Sequence, residues 1–218
     1  MTLNNTGSFP LLSGHPSLDL VNTELVRRGI RHDLLIRPDD LSSWLEALHI
    51  KESLPSLPSL QHASSEITKE ALNKVKEFRI VVRDMYERLA DGQEVTRSWI
   101  RLMEACIAKA PLSYHFLDGR LVPVPLGSDI DAILSLVALD ALRLLEAGEL
   151  AYLHRCSNPE CVLLYIDRSG RRKWCSMKIC GNRNKVARNQ AKKTTIKICD
   201  HHHQHKHQYK PNKLFVLH

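Results

Sequence analysis

Cys156-Ser-Asn-Pro-Glu-Cys161 and, thirteen residues on, Cys175-Ser-Met-Lys-Ile-Cys180 place four thiols in two pairs of identical spacing. Thiolate sulfur is a soft donor, and two short pairs separated by a turn-length spacer are the sequence form of a tetrahedral zinc site. Each pair closes a tight loop with its sulfurs facing inward, and the spacer holds a two-stranded turn, so all four can reach one ion. The alternative, four unrelated buried thiols, must explain why four of six cysteines crowd into 25 residues. Four protein ligands leave no open position for an activated water, so the expected metal is a single structural Zn2+. Arg155, Arg171, Arg172, Lys173, Lys178 and Arg183 surround the ligands with positive charge, which favours the thiolates that zinc requires.

The charge is not evenly spread. Residues 1–150 carry 16 Lys/Arg against 21 Asp/Glu, net −5, whereas residues 151–218 carry 15 against 3, net +12. The overall charge of +7 therefore conceals a strongly basic C-terminal block, the electrostatic footprint of a phosphate-backbone binder. A solvated cationic surface is the plainer reading. The N-terminus lacks a basic segment followed by an apolar run, and no stretch approaches the roughly twenty apolar residues that span a bilayer. The expectation is a cytoplasmic protein with no membrane partner, and cysteines used as metal ligands agree with a reducing compartment. Cys106, among helix-forming residues, reads as a small buried hydrophobe.

The elements that must position the thiols are mostly helical. Ser17 reads as the N-cap of a first helix with Leu18, Val21 and Leu25 on one face. A second helix follows Pro38, with Leu41, Trp44, Leu45 and Leu48 at helical spacing. Glu52 to Ser65, rich in Ser and Pro, reads as a loop. From about Glu66 to Leu89 the set Ile67, Leu72, Val75, Phe78, Val82, Met85 and Leu89 traces a long amphipathic helix, and another runs from about Thr96 to Ala108. Leu112 to Leu126 changes period and predicts a hairpin about Asp118-Gly119, the one clear strand pair of this region. Ser128 with Asp131 caps a helix to about Tyr152 that leads directly into the first thiol pair. In the metal region, Val162–Ile166 reads as a strand, residues 168–171 as a turn and Arg172–Trp174 as the return. A helix follows from Gly181 to about Lys193. The expected fold is mainly α: a helical domain over residues 1–150 with one β-hairpin, a small zinc finger over 151–193 (hairpin then helix), and a basic His-rich tail over 194–218 expected to be disordered.

Cys180-Gly181-Asn182-Arg183, closing a Cys-x4-Cys…Trp-Cys-x4-Cys pattern, resembles the CGNR-type zinc finger family. Gly14-His15-Pro16-Ser17-Leu18-Asp19-Leu20-Val21-Asn22-Thr23 resembles the opening of the ABATE-like domain that accompanies that finger. The resemblance reaches to about Lys193; the tail from Thr194 to His218 departs from it. It implies bacterial proteins regarded as stress-induced transcription regulators, with Cys156, Cys161, Cys175 and Cys180 as zinc ligands.

If the finger binds double-stranded DNA, the helix from Gly181 presents Arg183, Lys185, Arg188, Lys192 and Lys193, with Arg183 and Arg188 as base-reading candidates. Arg168, Arg171, Arg172 and Lys173, on the turn, are placed for phosphates. Asn182 reads equally as a helix cap, and Trp174 as packing over the metal site. In the first domain, His15, Asp19 and Asn22 are polar residues at the start of an apolar helix. They can line a pocket for a small-molecule effector, or serve as caps and buried hydrogen-bond partners. The run from His201 to His207 can take up transition metals adventitiously.

These readings favour a DNA-binding transcriptional regulator. The alternative is a zinc-stabilised protein–protein interaction module, and association of the acidic domain as a homo-oligomer is open. There is no Gly-rich phosphate loop and no nucleophile motif such as G-x-S-x-G, so an enzyme is not expected.

Overall fold

The structure, a computed structural model, describes residues 9–51, 67–117, 119–182 and 184–185. The Ser/Pro-rich stretch read as a loop and the basic His-rich tail lie outside these residues. The chain divides into two units, residues 1–175 and 176–218.

The first unit begins with helix α1, Pro16–Val21. The cap position belongs to His15, and Pro16, whose fixed φ suits a helix start, takes the first turn. Ser17, expected as the cap, is instead inside the helix and fully buried. Leu25, expected on the helix face, lies in strand β1 (Glu24–Arg27), which pairs antiparallel with β2 (Ile30–Asp33). Arg28 and Gly29 join the strands with φ of 53° and 76°. Two consecutive positive φ values make a type I′ turn, whose twist suits a two-residue hairpin loop. Among the described residues the region before residue 150 thus has two hairpins, not the single one expected.

Helix α2, Pro38–Ile50, buries Leu41, Trp44, Leu45 and Leu48, the expected face. Helix α3, Lys69–Ala90, starts where Thr68 Oγ1 accepts from Ala71 N–H at 3.1 Å. It buries Leu72, Val75, Phe78, Val82, Met85 and Tyr86, and also two arginines, Arg79 and Arg83. Helix α4, Arg97–Lys109, is capped by Thr96 and buries Trp99, Met103 and Cys106. Strands β3 (Leu112–Leu117) and β4 (Arg120–Pro125) form the expected hairpin in the register Leu112↔Pro125. Asp118, of its turn, lies outside the described residues.

Helix α5, Asp129–Glu146, is capped reciprocally: Ser128 Oγ accepts from Asp131 N–H and donates to the Asp131 carboxylate at 2.6 Å. It ends before Gly148, at φ 70°, where a Cβ would be strained, and residues Glu149–Tyr152 form a separate 3-10 turn. The helix therefore does not run to Tyr152. Strand β5 (Leu153–Arg155) follows and pairs antiparallel with β6 (Leu164–Ile166).

One apolar core joins these elements: Leu18 and Leu20 of α1, Trp44 of α2, Val82 and Tyr86 of α3, Met103 of α4, Val137 of α5, and Leu153 and Leu164 of β5 and β6. Fully burying a side chain of this size contributes about 1.5–3 kcal/mol. Of the second unit, Met177–Gly181 form a π-type helical turn. Asn182, Asn184 and Lys185 continue as helix.

Candidate metal centre

The loop of the first thiol pair is framed by β5 and β6. Cys156 leaves β5 with its N–H on Leu163 O at 3.3 Å, and Cys161 N–H closes the loop on Asn158 O at 2.9 Å. The partner of the Val162–Ile166 segment is therefore Leu153–Arg155, upstream of the thiols. It is not Arg172–Trp174, as the sequence led us to expect; that segment forms no strand. It instead runs past the loop, where Lys173 O accepts from Ser157 N–H at 2.9 Å, and so delivers Cys175.

Cys175 N–H points at Cys156 Sγ, 3.4 Å away, and the Cys161 and Cys175 sulfurs are 3.8 Å apart. Ser176 then caps the helical turn that carries Cys180: its Oγ accepts from Ile179 N–H at 3.0 Å, and its carbonyl from both Cys180 and Gly181 N–H. Asn184 Nδ2 donates to Cys180 O at 3.1 Å.

All four sulfurs lie within 4.8 Å of one another. A tetrahedron with metal–sulfur bonds of about 2.3 Å has sulfur–sulfur edges of about 3.8 Å, so the cluster has the dimensions of a zinc shell. Without a cation these thiols are in conflict. Hydrogen bonds from Cys161 and Cys175 hold the Cys156 thiol well below its ordinary range, while Cys161 is pushed up by Cys156, and Cys175 by Cys156 and Cys161. One thiolate excludes the others, and a divalent cation at the centre removes the conflict. Cys156, Cys161, Cys175 and Cys180 are the residues that would hold one structural Zn2+, and four thiolate ligands would leave no open position on it.

The arginines proposed for DNA fall into two groups. Arg168 is engaged: Nε donates to Glu149 Oε2 at 2.9 Å and Nη2 meets the other carboxylate oxygen. Arg172 lies over the Tyr165 ring, 4.5 Å from its centroid, and its Nε donates to Trp174 O. Tyr165 O–H returns a bond to Arg172 O at 2.6 Å. Arg171, Lys173, Lys178 and Lys185 are exposed and make no ion pair among the described residues. Arg183, Arg188, Lys192 and Lys193 lie outside the described residues. Trp174 is half-buried next to Cys175, and Asn182 is exposed.

His15, Asp19 and Asn22 each face a different partner. His15 Nδ1 is 3.3 Å from Asp140 Oδ1 of α5, a contact that raises the imidazole pKa. The second Asp140 oxygen accepts from Ser17 N–H and Oγ, and Ser17 Oγ meets Tyr86 O–H at 2.7 Å, which ties α1 to α3 and α5. Asp19 accepts at Oδ1 from Leu12 N–H, Ser13 N–H and Ser13 Oγ, while its buried Oδ2 has no hydrogen-bond partner among the described residues. Burial pushes this carboxyl up to about 6 despite those bonds.

Asn22, fully buried, uses both ends of its amide on one residue: Nδ2 donates to Leu164 O and Oδ1 accepts from Leu164 N–H, each at 3.0 Å. The side chain copies a neighbouring strand and closes the edge of β6. Arg83 completes the join: its guanidinium donates to Val21 O and, at 3.1 Å, to Val162 O, and is held by Glu24 and Glu87. Sequence reasoning gave Arg83 no role. Its one signal was a charge on the apolar face of α3, four residues after Arg79.

Four clustered cysteines in a mainly helical chain define the class of a zinc-finger protein. Two family profiles match: ABATE, described as Putative stress-induced transcription regulator, over residues 14–148, and CGNR zinc finger over residues 152–193. The chain belongs to the ABATE family and carries a CGNR zinc finger. No curated protein is detectably similar to it. Among the described residues no helix is long and apolar enough to cross a membrane.

Proposed function

We propose that the protein is a cytoplasmic transcriptional regulator whose zinc-bound C-terminal region contacts double-stranded DNA. The observation that carries this reading is the segregation of charge, net +12 over residues 151–218 against −5 before them. Arg171, Lys173 and Lys185 are exposed and unspent by ion pairs among the described residues, which suits them to phosphates. Arg168 and Arg172 stay in this reading as supports of the turn, since their guanidinium groups already have partners. Arg183, Arg188 and Lys192 extend the basic run in sequence and are assigned to the bases and the adjoining backbone. Small-molecule control of the first domain remains part of the reading, with partly exposed His15 as its most accessible member.

The test is retention of a random duplex pool by the zinc-loaded protein across a salt series, followed by sequencing. Enrichment of a motif, with affinity falling steeply as salt rises, supports a sequence-specific regulator. Weak, unenriched binding would overturn it.

A second reading, a zinc-stabilised protein-interaction module, is favoured by the β3–β4 hairpin. Tyr114, Phe116 and Leu121 are 49%, 75% and 65% exposed, and Phe116 and Leu121 are cross-strand partners. Three large apolar side chains on one exposed ribbon suit a protein partner better than a nucleic acid.

A further inference from the structure

We propose that Asn22 and Arg83 are positioning residues for zinc: they hold the β5–β6 hairpin in the form that presents Cys156 and Cys161, so metal affinity and the stability of the helical core are linked. The inference does not depend on DNA binding.

A two-stranded sheet of three-residue strands is marginal by itself, since an isolated hairpin barely holds together in water. Here the hairpin is the frame of the first ligand loop: Cys156 follows β5 directly and its N–H bonds Leu163 O. Three contacts from the core fix it. Asn22 occupies both backbone groups that Leu164 presents on its open edge. Arg83 takes the carbonyl of Val162, the residue after Cys161, while holding the carbonyl of Val21, the residue before Asn22. Leu153 and Leu164 are 3% and 1% exposed and belong to the same core as Leu18 and Tyr86.

Asn22 and Arg83 touch no sulfur, so their effect on the metal is indirect. When the hairpin is held before the ion arrives, binding does not have to order that loop, and the ordering entropy it would otherwise cost is removed. Affinity is then higher than the same four thiols give on a loose chain. Linkage makes the effect reciprocal: whatever the held hairpin adds to metal binding, the bound metal adds to the stability of the hairpin and of the core it is packed into.

The test uses the full chain, with Co2+ as a spectroscopic probe and zinc measured by chelator competition. Wild type is compared with Asn22→Ala, with Arg83→Lys, which keeps the charge but loses the guanidinium fork, and with Met103→Ala, which thins the core on α4. Melting of the metal-free proteins is recorded in parallel. We expect Asn22→Ala to weaken metal binding by about tenfold or more, as changes to groups that orient ligands do. Arg83→Lys should weaken it in the same direction. Met103→Ala should lower the metal-free melting temperature and, where the metal-free variant stays folded, weaken metal binding far less than Asn22→Ala does. Saturating zinc should raise the melting temperature of wild type by more than that of Asn22→Ala. Wild-type metal affinity in Asn22→Ala overturns the proposal. So does an equal loss in Met103→Ala, which would make the effect general destabilisation. If Asn22→Ala does not fold, Arg83→Lys decides: wild-type affinity in that variant overturns the proposal, and a loss that Met103→Ala does not share supports it.

Discussion

Arg155, the residue before the first zinc ligand, lies against the carboxylate of Asp91 at the end of α3 in a two-pronged ion pair, Nε to Oδ1 at 2.7 Å and Nη2 to Oδ2 at 2.9 Å. The same guanidinium reaches Glu87 Oε2 at 3.3 Å. A charge that the sequence assigned to the tuning of thiols is thus spent on acids of α3. Arg155 holds the Asp91 carboxyl below its usual range, so the pair's contribution is present above the ordinary carboxylate pKa and is lost as pH falls through the folded value. Both groups are exposed, and Asp91→Asn should change stability only slightly. A large loss in urea unfolding at pH 7 would give the pair more weight than its exposure allows.

The buried arginine Arg79 is a different case. It bonds Asp33 through both terminal nitrogens, at 2.7 and 2.8 Å, and lies 3.3 Å from Glu24. Burial works to raise the Asp33 carboxyl, but bonds from Arg79, Lys76 and Leu35 N–H prevail and bring it to about 2. Arg79→Met leaves those acids short of a partner and should cost about 3 kcal/mol at pH 7. Asp33 stabilises the wild type above its ordinary pKa of 3.8, an advantage lost as pH falls toward 2. That acid loss should be reduced in Arg79→Met, and an Asp33 titration at the wild-type position in the variant would contradict the assignment.

Asp19 runs the other way. Its folded pKa of about 6 exceeds the ordinary 3.8, so the folded protein binds the extra proton and stability declines as pH rises between those values. Asp19→Asn should remove this decline, a difference of about 2–3 kcal/mol between pH 4 and pH 7. The raised His15 pKa acts in a higher window: its contribution is complete below the ordinary 6.5 and is lost as pH rises through the folded value. Unfolding curves of the two single variants from pH 4 to 8 separate the windows. A variant that keeps the full decline below pH 6 would show that Asp19 is not its source.

Cys175→Ser should abolish zinc retention while helices α1 to α5 keep their far-ultraviolet signal. Cys175 is fully buried and its N–H faces Cys156 Sγ, so the change removes a ligand and disturbs the loop opposite. Metal content by elemental analysis checks it; one zinc per chain in the variant would refute a four-thiolate shell.

For DNA, the contrast between spent and unspent charges gives a direct comparison. The double variant Arg171→Ala/Lys173→Ala should weaken binding and lower the salt slope by about one for each phosphate left without its cation. Arg168→Ala should leave that slope alone, because its guanidinium belongs to Glu149. The reverse pattern would reassign the phosphate-binding role to Arg168.

What could be read in advance followed from local chemistry. Thr96 and Ser128 cap α4 and α5 where the sequence signals put those helices, and the apolar faces of α2 and, from Leu72 to Met85, of α3 are those the spacing predicts, although Ile67 precedes α3 and is not on it. The four thiols were legible because ligand spacing is itself local. Strands β1 and β2 were not, since Glu24, Arg27, Arg31 and Asp33 supply no apolar alternation. That ribbon is held by Arg79 and Arg83 of α3, a contact no window of neighbouring residues contains. The pairing of β6 was misassigned for the same reason. Its nearest candidate partner was downstream, but the core selects the upstream strand, fixing β6 through a residue 142 positions away. Ser17 illustrates a subtler miss: its type suits a cap, yet Pro16 starts the helix first and the hydroxyl serves Asp140 and Tyr86 instead.

The span from Asn22 to Leu164 also sets an order of events. Closing so long a loop is entropically costly until the intervening helices have folded and brought its ends together. A chain made from its N-terminus has α1 to α5 available before Cys156 exists, and domains generally fold as they emerge. The frame for the first two ligands is therefore the part of this unit whose contacts close last, on helices that precede it in the chain.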